Sequence, residues 1–411
     1  MRNLKNIHRS VVEFSPKLQL TATAWDLATD AIICAFGPTK DNVRLELKRV
    51  HGSSKAAPGP QPLIAEHGLQ QIAAWDALCP LPDLDCDKIL NLHFFADNLV
   101  ACLVLAGGDI VVVREQPQQG EEKIEIVGSV DAGITAAGWS PDEELLAITT
   151  RAGTLLYMTR EFENVTNITL TSDDLKASKH VSVGWGKSET QFKGKRAKAM
   201  RDSTMPETVD EGVLSPSDMK NVTISWRGDG AYLAVNSIES DSRRVIRVYS
   251  REGTLDSVSE PVDGLEGALG WRPAGNLMAG IQRLKDHIEV IFFERNGLRH
   301  GQFPLRLSKE EMDSWGAEIQ LKWNVDSSVL AVCFKDRVQL WTMGNYHYYL
   351  KQEIILPEAS AHSGVEYLRW HPERPLRFNL KSQGSYLPEN GDKQHADRMN
   401  QVNCRGKNIY P

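Results

Sequence analysis

Most of the features that announce chemistry are missing from this chain. Six cysteines are scattered over 411 residues, too few and too dispersed for a disulfide framework, and that usage suits a reducing compartment. No stretch approaches the roughly 18 consecutive apolar residues of a membrane helix, so no membrane partner is expected. The start Met1-Arg2-Asn3-Leu4-Lys5 lacks the apolar core of a secretory signal, and the expected location is cytoplasmic, with the nucleus second. Lys and Arg number 47 against 54 Asp and Glu, a formal charge of −7. A surface of that balance has no general basic footprint for nucleic acid, although a local patch can still form.

Catalytic and cofactor motifs are equally scarce. Gly186-Lys187-Ser188 looks like the end of a phosphate-binding loop, but the glycine such a loop needs earlier would fall at 181, where Val181 stands. Cys79, Cys86 and His93 are spaced by seven and lack the C-x2-C pairing of structural zinc, so they read as small thiols and a loop histidine. No G-x-S-x-G elbow is present. The expectation is a chain without catalytic residues, metal or cofactor.

What the sequence does contain is a repeat. Trp139-Ser140-Pro141-Asp142, Trp226-Arg227-Gly228-Asp229-Gly230, Trp271-Arg272-Pro273-Ala274-Gly275 and Trp323-Asn324-Val325-Asp326 are each followed, eight residues after the tryptophan, by an alanine: Ala147, Ala234, Ala279 and Ala331. With Trp185 and Trp370 the spacings run 46, 41, 45, 52 and 47 residues. A period of that size, built from strands and tight turns, marks a β-propeller whose blades bury their faces against one another. Within a repeat, Val222, Ile224 and Trp226 alternate with Thr223 and Ser225, as a half-buried strand requires. The tryptophans are therefore read as packing between blades. The predicted fold is all-β, a WD40-like propeller of seven blades over residues 1–378, with six as the fallback because the hairpin around Trp185 need not be a full blade.

Along the chain, strands are expected at Ser10 to Phe14, within Leu18 to Phe36, and at Ile89 to Phe95, Leu99 to Leu105 and Ile110 to Val113, with Gly107-Gly108-Asp109 as a turn. Residues 51–68, rich in Gly, Pro, Ser and Ala, read as an exposed connection. Residues 194–220 are charged and aperiodic and are expected to be a long disordered loop. Lys193, Lys195, Arg196, Lys198 and Arg201 put five cations into nine residues, a possible set of phosphate contacts; a solvated loop face is the plainer reading.

Several segments are more specific than a generic repeat. The start Met1 to Lys5, the run Val183-Gly184-Trp185-Gly186-Lys187-Ser188-Glu189-Thr190-Gln191-Phe192, the turn Trp226 to Gly230, Phe292 to Gly301, and Leu340-Trp341-Thr342-Met343-Gly344-Asn345-Tyr346-His347-Tyr348-Tyr349-Leu350-Lys351 together resemble the N-terminal propeller of the Elongator complex subunit 1 family (IKI3/IKAP). The resemblance runs in order from residue 1 to about 378. It implies a scaffold of the complex that modifies carbon 5 of the wobble uridine in certain tRNAs, to 5-methoxycarbonylmethyl and 5-carbamoylmethyl uridine. The implied partners are the catalytic radical-SAM/acetyltransferase subunit, a second WD40 subunit, and tRNA indirectly through the complex. Direct RNA binding by the propeller through its basic loop stays open as the alternative.

Family members continue into a second propeller and a helical dimerisation region that this sequence does not contain. After Tyr367-Leu368-Arg369-Trp370-His371-Pro372 the pattern changes: Phe378 stands where alanine is expected, and residues 379–411 are mostly polar. The expectation is a truncated or misread product with a disordered tail and an incomplete last blade, in which Val11 to Phe14 pairs near Val365 to Trp370.

Overall fold

Each tryptophan of the repeat ends a strand, and the alanine eight residues on lies beside it in the next. Trp139 faces Leu146 with Gly138 facing Ala147; Trp226 faces Leu233 with Ser225 facing Ala234; Trp271 and Trp323 repeat the arrangement with Met278 and Leu330. The turn between is closed the same way each time, by an N–H from the residue after the tryptophan. Ser140 donates to Leu145, Arg227 to Tyr232, Arg272 to Leu277 and Asn324 to Val329, at 2.8 to 3.0 Å. All four alanines are fully buried, so a larger side chain there would overpack the face.

The computed structural model describes residues 5–13, 19–50, 69–171, 210–239, 242–314, 319–334, 337–355, 367–386 and 396–405. Within them lie 28 strands and one short helix, α1 (Lys309–Ser314). The strands form seven four-stranded sheets, six of which take four consecutive strands. The first sheet is β2 (Leu20–Asp26), β3 (Ala31–Phe36), β4 (Arg44–Val50) and β5 (Leu69–Asp76); the second is β6 (Ile89–Phe95), β7 (Val100–Leu105), β8 (Asp109–Arg114) and β9 (Ile124–Ser129). The third is β10 (Ile134–Trp139), β11 (Leu145–Thr150), β12 (Thr154–Thr159) and β13 (Asn164–Thr169); the fourth is β14 (Thr223–Trp226), β15 (Tyr232–Glu239), β16 (Arg243–Ser250) and β17 (Leu255–Val258). The fifth is β18 (Leu265–Trp271), β19 (Leu277–Arg283), β20 (Ile288–Glu294) and β21 (Arg299–Pro304); the sixth is β22 (Gln320–Trp323), β23 (Leu330–Cys333), β24 (Arg337–Gly344) and β25 (His347–Ile355).

The seventh sheet corrects the expectation for the tail. It holds β26 (Tyr367–Trp370), β27 (Arg377–Tyr386) and β28 (Ala396–Arg405) together with β1 (Lys5–Glu13), in the order β1-β28-β27-β26. The polar tail thus supplies two strands, and this sheet is not short of any. The N-terminal strand does join it, but pairs with β28, Val11 facing Asn400 and Val12 facing Met399, and not with the segment around Trp370. The physical reason is that a ladder is made by backbone N–H and C=O groups. Polar residues can therefore form strands, and without apolar alternation their sequence does not advertise them.

Trp139 and Trp226 end the first strands of the third and fourth sheets, while Trp185 and the hairpin expected around it lie outside the described residues, as do 51–68. Phe95 ends the first strand of the second sheet, and Trp25 stands one residue before the end of the first strand of the first sheet.

The chain divides into two compact units, one of residues 1–139, 146–164 and 355–411, the other of residues 140–145 and 165–354. In the first unit, one apolar cluster is shared by the first two sheets through Ile33, Leu45, Leu47, Phe94 and Leu103, and another by the second and third through Phe95, Cys102, Trp139 and Ile148. Its first and seventh sheets are also joined: Trp25 Nε1–H donates to the Trp370 carbonyl at 3.1 Å, and Arg377 bonds both oxygens of Asp30 at 2.6 and 2.7 Å. Burial pushes the Asp30 carboxyl up, but the bond and charge of Arg377, helped by Arg374, outweigh it and hold the group below its ordinary value. In the second unit, Ile246, Val248, Trp271 and Phe293 bind the fourth sheet to the fifth, and Phe292, Phe303, Leu330 and Trp341 bind the fifth to the sixth.

Candidate functional site

The five cations singled out in the sequence, Lys193, Lys195, Arg196, Lys198 and Arg201, lie outside the described residues, with Gly186-Lys187-Ser188. What the structure does show is how both banks of that segment are held in the second unit. Upstream, the Thr171 carbonyl accepts a bond from Arg247 Nη2 at 3.2 Å. Arg247 is itself fully buried, donating to Ser237 Oγ at 3.1 Å and to the Glu239 carboxylate.

Downstream the fixation is denser. Asp210 pairs with Arg299 at 3.3 Å, and the N–H groups of Glu211, Gly212 and Val213 converge on Asp263 Oδ1 at 3.0, 2.7 and 2.8 Å. Three successive N–H groups can point at one oxygen only if the backbone curls through the left-handed region, and Gly212 supplies φ +85 for it. Ser215 donates to Glu266 at 2.9 Å, and Arg244 grips Asp218 through Nε and Nη2 and the Asn221 carbonyl at 2.8 Å. The Arg244 and Asp218 side chains are 0% and 3% exposed. The loop expected over 194–220 therefore needs correction from 210 onward: those residues are tied down by charge-assisted bonds, while 194–209 lie outside the described residues. No sequence pattern marks this, since every partner is a polar residue from 23 to 89 positions away.

Other candidates fall in the first unit. Cys79 donates its thiol to the Leu81 carbonyl at 3.5 Å, and His93 sits on Phe95 at 4.7 Å between ring centroids. Burial pushes the Cys86 thiol above its ordinary value, with Lys88 opposing. Among the described residues no three His, Cys, Asp or Glu side chains are placed to hold a metal ion, and no helix is long and apolar enough to cross a membrane. Beside them Asp87 is buried against the Gly107-Gly108 turn, accepting the Gly107 N–H at 2.6 Å. A Cβ on Gly107 would stand 2.6 Å from Pro80 Cδ and 3.0 Å from the Asp87 oxygens, which is why this turn begins with glycine. Burial lifts the Asp87 carboxyl to about 6; the Gly107 bond opposes this and the charge of Asp109 adds to it.

A groove of about 470 Å3 opens in the same unit, lined by Phe95, Val112, Phe162, Arg114, Glu125 and Arg160. Its cations are already engaged: Arg114 meets Glu125 at 2.7 Å, and Arg160 meets Asp97 at 2.5 Å while lying 4.4 Å over the Phe95 ring. In the second unit, the β24–β25 hairpin leaves Met343, Tyr346 and Tyr349 exposed. In sequence that stretch stands out as a family marker, and its exposure does not show.

This arrangement of repeated antiparallel four-stranded sheets defines the class, a WD40-like β-propeller. The WD40 domain of Toxoplasma gondii coronin superimposes with a TM-score of 0.55 at 10% identity, covering 98% of this chain and 87% of that one. A chain of the Mitotic Checkpoint Complex gives 0.56 at 12% identity, with 99% and 94% covered. The family is shown by sequence: the family model described as the ELP1 first N-terminal beta-propeller matches residues 1–373. Elongator complex protein 1 of Schizosaccharomyces pombe is 47% identical over 293 residues, and that of Saccharomyces cerevisiae 39% over 401 residues. These matches cover 70% and 89% of this chain but only 22% and 28% of the relatives' lengths. The chain belongs to the Elongator subunit 1 family.

Proposed function

We propose that this chain is a non-catalytic scaffold subunit of the Elongator complex, required for carbon-5 modification of wobble uridine in tRNA. The observation that carries the reading is the family match across residues 1–373. Supporting it, the described tryptophans of the repeat are spent mainly on packing, with Trp139, Trp271 and Trp370 buried and Trp226 and Trp323 half-buried. Its partners on this reading are the radical-SAM/acetyltransferase subunit and a second WD40 subunit, with tRNA reached through the complex, in the cytoplasm or the nucleus. Co-purification of those subunits with the tagged 411-residue chain is the test, and failure to retain any of them rejects the reading.

A second reading is direct RNA contact by Lys193, Lys195, Arg196, Lys198 and Arg201. It rests on the five cations within nine residues; the described flanks of that segment, Thr171 and Asp210, are both bonded within the second unit. Serine at all five positions should then flatten the salt dependence of tRNA binding, by roughly 0.7 to 0.9 in log–log slope for each phosphate no longer neutralised.

A further inference from the structure

The β24–β25 hairpin turns through two residues, Asn345 and Tyr346, with φ of 49° and 63°. Two consecutive left-handed residues are the mark of a type I′ turn, whose second position is normally glycine. Asn tolerates that region; tyrosine does so at a steric cost, because its Cβ crowds the backbone. Nothing offsets the cost by packing, since Tyr346 is 97% exposed. A strained residue whose side chain buries nothing is a candidate for function.

Its neighbours point to the ligand. His347, Tyr349 and Lys351 are exposed along the alternating outer positions of β25, while Tyr348 turns inward and stacks on Phe292 and Phe303 at 4.9 and 4.7 Å. The Lys351 ammonium lies 5.5 Å over the Tyr349 ring. Beside them a cleft of about 260 Å3 is lined by Thr342, Met343, Gly344, Asn345, Tyr349 and Lys351. The hairpin's single carboxylate, Glu353, is engaged by Gln339 at 3.0 Å and Arg337 at 3.5 Å. Exposed rings beside the Lys351 ammonium, without a free carboxylate on either strand, complement a polyanion that carries planar groups.

We propose that this hairpin tip is a stacking platform for an unpaired nucleobase of single-stranded RNA, with Tyr346 as the platform, Tyr349 as the wall of the cleft, and His347 and Lys351 facing the phosphates. The inference is independent of membership in the complex. The test uses the 411-residue chain and a short fluorescein-labelled single-stranded RNA at low salt. Tyr346→Gly should weaken binding about tenfold or more while raising the melting temperature, because glycine suits the turn. That pairing separates a ligand role from a structural one. Tyr346→Phe should keep the affinity, and Lys351→Ala should lower the salt slope by about 0.7. Unchanged affinity in Tyr346→Gly overturns the proposal. So does an absence of binding by the unaltered chain, or loss in Tyr346→Gly of a co-purifying protein with RNA affinity intact.

Discussion

Two buried carboxylates, one in each compact unit, meet the same electrostatic problem by different means. Asp218 is gripped twice by Arg244, once at 2.6 Å, and both side chains are almost wholly shielded from water. Among the described residues Asp87 is paired with no cation: one oxygen takes the Gly107 N–H and the other has no hydrogen-bond partner. Its carboxyl answers by holding a proton up to about pH 6. A buried negative charge is thus either matched by a guanidinium, whose charge persists across the accessible pH range, or removed by protonation, whose success depends on pH.

The comparison breaks most visibly at the ion pair. Arg244→Met strands the Asp218 carboxylate, and urea unfolding should show a loss of about 3 to 5 kcal/mol. The double variant Arg244→Met, Asp218→Leu should recover most of it, since a matched apolar pair leaves no orphan charge. No recovery would mean that the bonds to Asn221 and Asn236 matter more than the pair.

At Asp87 the sign is opposite to that of a typical salt-bridged carboxylate. The folded-state value stands above the ordinary 3.8, so between about pH 4 and pH 6 the folded state binds more protons than the unfolded one, and stability falls as pH rises through that window. Asp87→Asn cannot titrate and keeps a carbonyl for Gly107. It should flatten this fall and be the more stable form at pH 7, by at most about 3 kcal/mol. The measurement is the difference between parent and variant stability across pH, because Asp30, whose value is lowered, contributes the reverse slope in both. Equal pH profiles would show that Asp87 keeps the ordinary carboxylate value in the fold.

Intermediate in size is Asp263→Ala. Removing the oxygen that collects three N–H groups should cost about 2 kcal/mol and speed amide exchange at 211–213 ahead of the strands around them. At the small end, Lys40 and Asp85 pair at 3.3 Å with both side chains 72% exposed. Lys40→Ala should shift stability by no more than about 0.5 kcal/mol, which calibrates what an ion pair is worth when water competes for it.

The parts of the fold legible in sequence are those governed by short-range geometry. The tryptophan-to-alanine spacing of eight follows from one strand end, one closed turn and one opposing register, so it survives as a motif. The Gly107-Gly108 turn and the limits of β6, β7 and β8 are legible for the same reason. The strands at 377–386 and 396–405 are not, because their pairing relies on backbone groups that every residue possesses. Phe95 escapes a count of tryptophans because any large ring fills that position. The fixation of 210–221 is hidden by distance, Asp210 finding Arg299 across 89 positions. The Tyr346 tip has a usable signal: Asn-Tyr standing where a two-residue hairpin ordinarily has Asn-Gly.

The pairing of β1 with β28 also has a consequence for synthesis. Lys5 faces Arg405, so β1 finds its partner only after the roughly 400 residues between them have been translated. At roughly 5 to 20 residues per second that wait is about 20 to 80 s. Throughout it, β1 presents an unpaired edge to whatever else is nascent in the cell. The six sheets made of consecutive strands have no such delay and can form one after another as the chain emerges. Among these strands, a chaperone acting during translation would therefore find its longest-lived substrate in β1, residues 5–13.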